Sequence, residues 1–347
     1  MKKQNILALV VKPAMRVTES VGIGIVLVLT AAVIAMITPS VVSASSPCGG
    51  PTATRLVTGL EGAMGSTIGP DGALYVTEGA AGRISRVDPE TGEKTAFASG
   101  LPPAIIGIGG AIDVAFIDNI AYVLVTLVND PLFPTSDVDG IYRVDGPDSF
   151  TVVADIGAFN LANPPTIQFP YFIATGLQYA LQTYRGGFLV ADSHLNRVLR
   201  VTLDGEITVL IAFDNIVPTG LAVRGNTVYM AEAGPDPHLP ETGKVVSFGA
   251  RSPTATEVAS DVPFLLDVEF GGGSLYALSH GTVDPNIDPS NAVPYTGALV
   301  KINEDGTFTH IVDGLDRPTS LEFIGNTAYF VTLTGEIWKI DGVWCRR

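Results

Sequence analysis

Leu74-Tyr75-Val76-Thr77-Glu78, then Gly82-Arg83-Ile84-Ser85-Arg86-Val87-Asp88 and a Thr91-Gly92 turn, is the stretch whose reading decides the fold. Side chains alternate with period two and Gly, Asp or Asn bounds each run, the pattern of two adjacent strands. The pair returns five more times. Ala121-Tyr122-Val123 leads to Gly140-Ile141-Tyr142-Arg143-Val144-Asp145, and Phe188-Leu189-Val190-Ala191-Asp192 to Asn196-Arg197-Val198-Leu199-Arg200-Val201. Val228-Tyr229-Met230-Ala231-Glu232 precedes Gly243-Lys244-Val245-Val246-Ser247-Phe248, and Leu275-Tyr276-Ala277-Leu278 precedes Gly297-Ala298-Leu299-Val300-Lys301-Ile302. The last pair is Ala328-Tyr329-Phe330-Val331 with Gly335-Glu336-Ile337-Trp338-Lys339-Ile340-Asp341. Repeats of about 45 residues, each with four short strands A to D, are propeller blades. Six of them predict an all-β, six-bladed β-propeller.

Each unit continues into an outer strand D, such as Thr95-Ala96-Phe97-Ala98-Ser99-Gly100-Leu101 or Thr307 to Leu315, but nothing of the kind follows Asp341. Its counterpart stands at the other end, in Thr54-Arg55-Leu56-Val57-Thr58-Gly59-Leu60, with the same Gly-Leu ending. The N-terminal strand is therefore expected to complete the last blade, Thr54 to Thr58 pairing with Ile337 to Ile340. Cys48 and Cys345, the two cysteines of the chain, flank that hairpin. In an oxidising compartment they are expected to form one disulfide.

The first 44 residues read differently from the propeller that follows. Lys2, Lys3, Lys12 and Arg16 precede an apolar run from Val21 to Ile37, then Pro39 and Val42-Ser43-Ala44. That is the order of a secretory signal cleaved after Ala44, although the run also reaches the lower limit for an uncleaved membrane anchor. Residues 45–53 are a lead-in and 54–345 the propeller, expected to be an extracytoplasmic monomer. The formal net charge is −15. Residues 1–44 hold four bases and one acid, so cleavage makes the remainder more negative still. An anionic surface repels nucleic acid and anionic lipid but suits cations, neutral solutes and basic partners.

Gly69-Pro70-Asp71-Gly72-Ala73-Leu74-Tyr75-Val76-Thr77-Glu78, Arg86-Val87-Asp88-Pro89-Glu90-Thr91-Gly92 and Pro218-Thr219-Gly220-Leu221-Ala222-Val223 carry a family resemblance. The chain resembles the NHL and SMP-30/gluconolactonase group of six-bladed propellers, and more closely the ScyD/ScyE family of exported propellers. The likeness covers roughly residues 56–341 and lies in blade-building motifs, so it speaks for a fold and hardly for a reaction. Relatives of the gluconolactonase type hold a cation at the channel mouth, and the resemblance implies that possibility here.

Loop lengths point to one working face. The A-to-B and most C-to-D connections are tight turns, whereas the long insertions lie between B and C or between D and the next A: 129–139, 234–242, 279–296, 102–110 and 156–175. These emerge on one face, because successive strands are antiparallel. On that face strand B ends supply Glu78, Asp192 and Glu232, and His194 and His280 lie one or two positions past the B ends of the third and fifth blades. The longest insertion adds Phe169 and Tyr171 as an aromatic ligand surface or as a self-packed loop. The starts of strand A carry Gly65, Asp113, Gly176, Gly220, Asp267 and Ser320. Asp113 and Asp267 belong to opposite blades and, with Glu232, form a candidate site for a divalent cation, calcium by preference for oxygen ligands. The alternative is that they cap backbone amides between blades.

The remaining histidines, His238 in a Pro-rich loop and His310 on an outer strand, suggest no chemistry, and no nucleophile elbow, phosphate loop or Cys cluster occurs. Two functions follow. One is binding of a small molecule, glycan or protein on the loop-rich face. The other is a cation-dependent hydrolase of lactonase or phosphotriesterase type, or an enzyme of secondary metabolism, using channel-mouth carboxylates. Mass spectrometry of the exported protein is expected to find Ser45 as its first residue; an intact N-terminus in a membrane fraction would make the segment an anchor.

Overall fold

The computed structural model describes residues 51–166, 173–236, 238, 242–249, 252–284, 286–287 and 291–344. Cys48, Cys345, Phe169, Tyr171 and the N-terminal segment lie outside the described residues. Strand β1 (Thr52–Val57) belongs to the last blade, so the first blade is β2 (Ala63–Ile68), β3 (Leu74–Glu78), β4 (Arg83–Val87) and β5 (Lys94–Ser99). The second is β6 (Gly110–Ile117), β7 (Ile120–Thr126), β8 (Gly140–Gly146) and β9 (Ser149–Asp155). After α1 (Ile156–Ala162) comes the third, β10 (Gln178–Tyr184), β11 (Gly187–Asp192), β12 (Arg197–Val201) and β13 (Ile207–Ala212). The fourth is β14 (Pro218–Arg224), β15 (Thr227–Glu232), β16 (Gly243–Gly249) and β17 (Ser252–Val262). The fifth is β18 (Leu265–Gly271), β19 (Ser274–Ser279), β20 (Gly297–Ile302) and β21 (Phe308–Leu315). The sixth is β22 (Pro318–Ile324), β23 (Thr327–Thr332) and β24 (Glu336–Asp341), with β1 outermost. All six sheets are antiparallel, and neighbouring inner strands touch around a complete ring, β22 against β2 included.

The ring closes as the repeat count requires. Thr54 lies opposite Lys339, Arg55 opposite Trp338 and Val57 opposite Ile337. Val57 is buried with Leu60, Leu74, Val331 and Ile337, so the closing strand joins the first and last blades through one core. Elsewhere the recurrent strand B tyrosine acts as a peg into the next blade. Tyr75 meets Phe116 edge-on at 4.8 Å, Tyr229 meets Phe270 at 5.3 Å and Tyr276 meets Phe323 at 4.9 Å. Such aromatic pairs contribute about 1 kcal/mol each beyond the area they bury.

One element is absent from the sequence reading. The start of the 156–175 insertion forms α1, capped by Asp155, whose side chain accepts from the Ala158 amide at 2.7 Å. A chain lacking Thr52–Val57 would expose the Val57 core and the β24 edge. It is expected to lose about 3 kcal/mol or more, the worth of one or two buried aliphatic side chains. A urea midpoint equal to that of the full chain would show that β1 does not hold the ring.

Candidate binding rim and channel

The channel is built from six inner strands, each with a register break near its start. The pairing puts Gly65, Asp113, Ala180, Gly220, Asp267 and Ser320 at one level. Gly176, expected in that ring, precedes β10. The longer entry into that blade displaces it, and Ala180, opposite Ala191, takes the slot.

Asp113 and Asp267 are clasps between blades. Asp113 Oδ1 accepts from the Val114 amide at 2.8 Å and Oδ2 from the Leu181 amide of the next blade at 2.7 Å. Asp267 repeats this with Val268 at 2.8 Å and Leu321 at 2.7 Å. The preceding blade must then carry glycine. A Cβ on Gly65 would lie 2.5 Å from the Ile112 carbonyl oxygen, and one on Gly220 would lie 2.5 Å from the Asp267 Cα. Ser320 makes a weaker version, its Oγ accepting from the Ser66 amide at 3.0 Å.

Below the clasps the channel holds a cavity of about 60 Å³, lined by Asp113, Asp267, Glu269 and Glu322. That is room for about two waters at liquid density and too little for a sugar or lactone. Tyr179 crosses it from the third blade to the sixth, its hydroxyl donating to the Thr319 carbonyl at 2.8 Å. The four carboxyls are half-buried, reached by water only from the narrow channel, and the scarcity of water there penalises their charged forms. Burial pushes Asp113 up to about 7 against two amide donors that pull it down. Burial, then Glu269 and other acids of the channel, raises Asp267 and Glu322 further. Burial also raises Glu269, opposed by Arg224.

Glu232 does not join this group on the channel wall. It ends β15 opposite Lys244, and burial lifts its carboxyl to about 7. Among the described residues no three His, Cys, Asp or Glu side chains come together in a way that could hold a metal ion.

Glu78 and Asp192, expected on the ligand face, are instead fully buried locks within their blades. Glu78 accepts from Arg83 at 2.9 and 2.6 Å and from the Glu61 amide at 2.8 Å. Asp192 accepts from Arg197 at 2.9 Å, Asn160 at 3.0 Å and Gln178 at 2.9 Å. A carboxylate opposite a base at the start of strand C meets its charge inside the sheet, which leaves nothing for a ligand. Asn160 and Phe159, under the Arg197 guanidinium, show that the described part of the long insertion packs onto the third blade.

The rim above Tyr179 brings together side chains far apart in sequence. His194 follows β11, His238 lies in the connection after β15, and His280 follows β19. Phe264, entering β18, stacks on His238 at 4.1 Å and meets His280 edge-on at 5.0 Å. Val217, Ala233, Phe264, Leu266, Val283 and Ala292 form one apolar cluster beneath, with Tyr179 against it. Asn215 and Asp236 exchange bonds at 2.8 and 3.1 Å that shape the His238 connection. His280 is tied down, Nδ1 lying 3.0 Å from the Pro318 carbonyl and Nε2 2.9 Å from Asn291 Oδ1. Nδ1 of His194 and Nδ1 of His238 are buried without a hydrogen-bond partner among the described residues. Burial lowers both imidazoles to about 4, so they are neutral at pH 7. His310 stays on its outer strand, against Asp313.

No family model matches the chain, and no curated protein is similar to it. Solved structures share the ring. A gluconolactonase from Xanthomonas campestris superposes with a TM-score of 0.56 at 12% identity, covering 84% of this chain and 89% of its own. A PQQ-bound aldose sugar dehydrogenase from Streptomyces coelicolor gives 0.54 at 15%, with 84% and 98% covered. A catalytically inactive His-to-Ala variant of virginiamycin B lyase from Staphylococcus aureus, solved with quinupristin, gives 0.51 at 13%, with 84% and 98% covered. What these share with the chain is the propeller ring of the fold.

Glu269, Glu322, Tyr179 and His238 were not singled out from the sequence. Two of them were within reach: stepping by two from Asp267 and Ser320 along strands that face the channel gives Glu269 and Glu322. Tyr179 depends on a register break, and His238 on where a long connection folds back.

The raised carboxyls fix a pH dependence. The folded channel retains protons that the unfolded chain releases near pH 4, so this stability is complete below about 4 and is lost as pH rises through about 7. The lowered histidines act oppositely, their contribution complete above about 6.5 and lost as pH falls through about 4. A Glu269→Gln, Glu322→Gln double variant removes part of the first effect only. Its Tm is expected to exceed that of the parent by about 3 °C or more at pH 8.5 and to match it near pH 4.5, a shift worth about 1 kcal/mol. Parallel Tm curves would refute the assignment.

Proposed function

We propose that this chain is an extracytoplasmic binding propeller that takes a small, neutral, largely apolar molecule on its loop-rich face, beside His194 and His238. The observation that carries this reading is the pair of neutral imidazoles with unpartnered Nδ1 atoms above an apolar floor. Buried polar atoms are nearly always satisfied, and those that are not mark places where a partner is missing. A ring-bearing molecule with a hydroxyl or carbonyl matches both parts of the surface. The anionic charge of the chain and the neutrality of the rim disfavour phosphorylated ligands.

A second reading rests on the same imidazoles. A neutral histidine near a bound ester or lactone is a general base, and the inactive His-to-Ala variant of the Staphylococcus aureus lyase supports a catalytic role for histidine on this architecture. Dihydrocoumarin, an aromatic lactone, separates the two. Binding is expected to move the imidazole NMR signals of His194 and His238, and His194→Ala is expected to weaken it about tenfold, the loss of one good contact. Ring opening that disappears in His194→Ala would establish the second reading. If methyl glycosides or a protein partner shift these signals and the lactone does not, the ligand class is wrong.

A further inference from the structure

A second concavity lies away from the rim, between the connection from Asn129 to Asp139 and the start of α1, with a volume of about 420 Å³. Asp130, Asp137, Asp139 and Asp155 line it, and among the described residues no basic side chain does. Several of these oxygens are already engaged. Asp130 accepts from the Leu132 amide at 2.9 Å and the Thr175 amide at 3.0 Å, and Asp155 caps α1. Asp139 differs. It is 1% exposed, its Oδ1 accepts from the Val128 amide at 2.8 Å, and its Oδ2 is buried with no hydrogen-bond partner among the described residues. Burial raises its carboxyl to about 6 against the Val128 amide, the Thr175 hydroxyl and the Asn129 amide, which pull it down, with Asp130 adding to the rise, and this leaves it mainly ionised at neutral pH.

A buried anionic oxygen whose nearest donors, the Thr175 hydroxyl and the Asn129 amide, stay outside hydrogen-bond geometry is costly. The compensation available from solution is a cationic donor. The size and walls of the pocket favour an organic one. The volume is in the range of small-molecule sites, far above the needs of a bare ion, and among the described residues no trio of acidic or histidine side chains is arranged to hold a metal. Pro134 and Leu161, the latter 49% exposed, offer apolar wall beside the acids.

We propose that this pocket binds a primary alkylammonium group, with Asp137 and Asp139 as counter-charges and its methylenes along Pro134 and Leu161. The group could arrive on a free amine or on a lysine side chain of another protein. The site is separate from the histidine rim and stands or falls independently of the ligand taken there.

The test uses the full propeller at pH 7.5 in calorimetric titrations with n-butylammonium chloride, 1-butanol at matched ionic strength, N-acetyl-lysine methylamide and calcium chloride. Butylammonium is expected to bind and butanol not to. Asp137→Asn is expected to weaken binding about tenfold, and Asp139→Asn more. Asp137 is partly exposed and its side chain makes no hydrogen bond or ion pair among the described residues, so the first variant remains informative if the second does not fold. Tighter binding of the lysine derivative assigns the site to a protein-borne lysine, and weaker binding assigns it to a free amine. Equal responses to butylammonium and butanol, an Asp137→Asn variant that binds like the parent, or calcium binding tighter than the amine with the same variant loss would each overturn the proposal.

Discussion

The propeller depends on a sideways reach at the axis. A ring of sheets that touch only through apolar faces can slide, since hydrophobic contact has no direction. Asp113 and Asp267 remove that freedom by holding their own blade's amide and the next blade's amide with the two oxygens of one carboxylate. The geometry leaves no space for a side chain on the preceding blade, hence Gly65 and Gly220. The same glycine, carboxylate and amide recur three blades apart, so the inner ring has approximate two-fold character within its six-fold arrangement. What sits at the axis follows from this. Carboxylates chosen for their reach stay within a narrow space where ionisation is disfavoured, and Glu269 and Glu322 share it.

Six blades and their closure were legible because both rest on local periodicity and counting. Strand alternation, turn residues and a missing outer strand needed no knowledge of which residues meet. The loop-rich face was legible for the same reason. The inner ring was only partly so. Asp113 and Asp267 stood out as acids among Gly and Ser, and the alternative reading, amides capped between blades, is where the structure places their oxygens. Gly176 was misplaced because a register break and a long entry cannot be counted from residue types. Glu78 and Asp192 misled for a different reason. An acid at a strand end looks available until its cross-strand neighbour, Arg83 or Arg197, is recognised as the residue it faces.

The rim was the least legible part. His194, His238 and His280 come from three different blades, and Phe264, entering a strand from a short connection, brings two of them together. Nothing in spacing or composition announces such a meeting. Burial then makes the imidazoles electrically silent at neutral pH, which sets this rim apart from the carboxyl-lined space beneath it. One molecule thus offers a neutral apolar surface at the mouth of its channel and retained protons within.

Tyr179 has a kinetic consequence. Its phenol spans from the third blade to the sixth and is fixed at the far end by the Thr319 carbonyl. About 60 Å³ of free space is left around it, so the phenol takes up much of the axis at this level. A ligand of the kind proposed for the rim would then meet this side chain at the floor of its site and leave by the opening through which it entered.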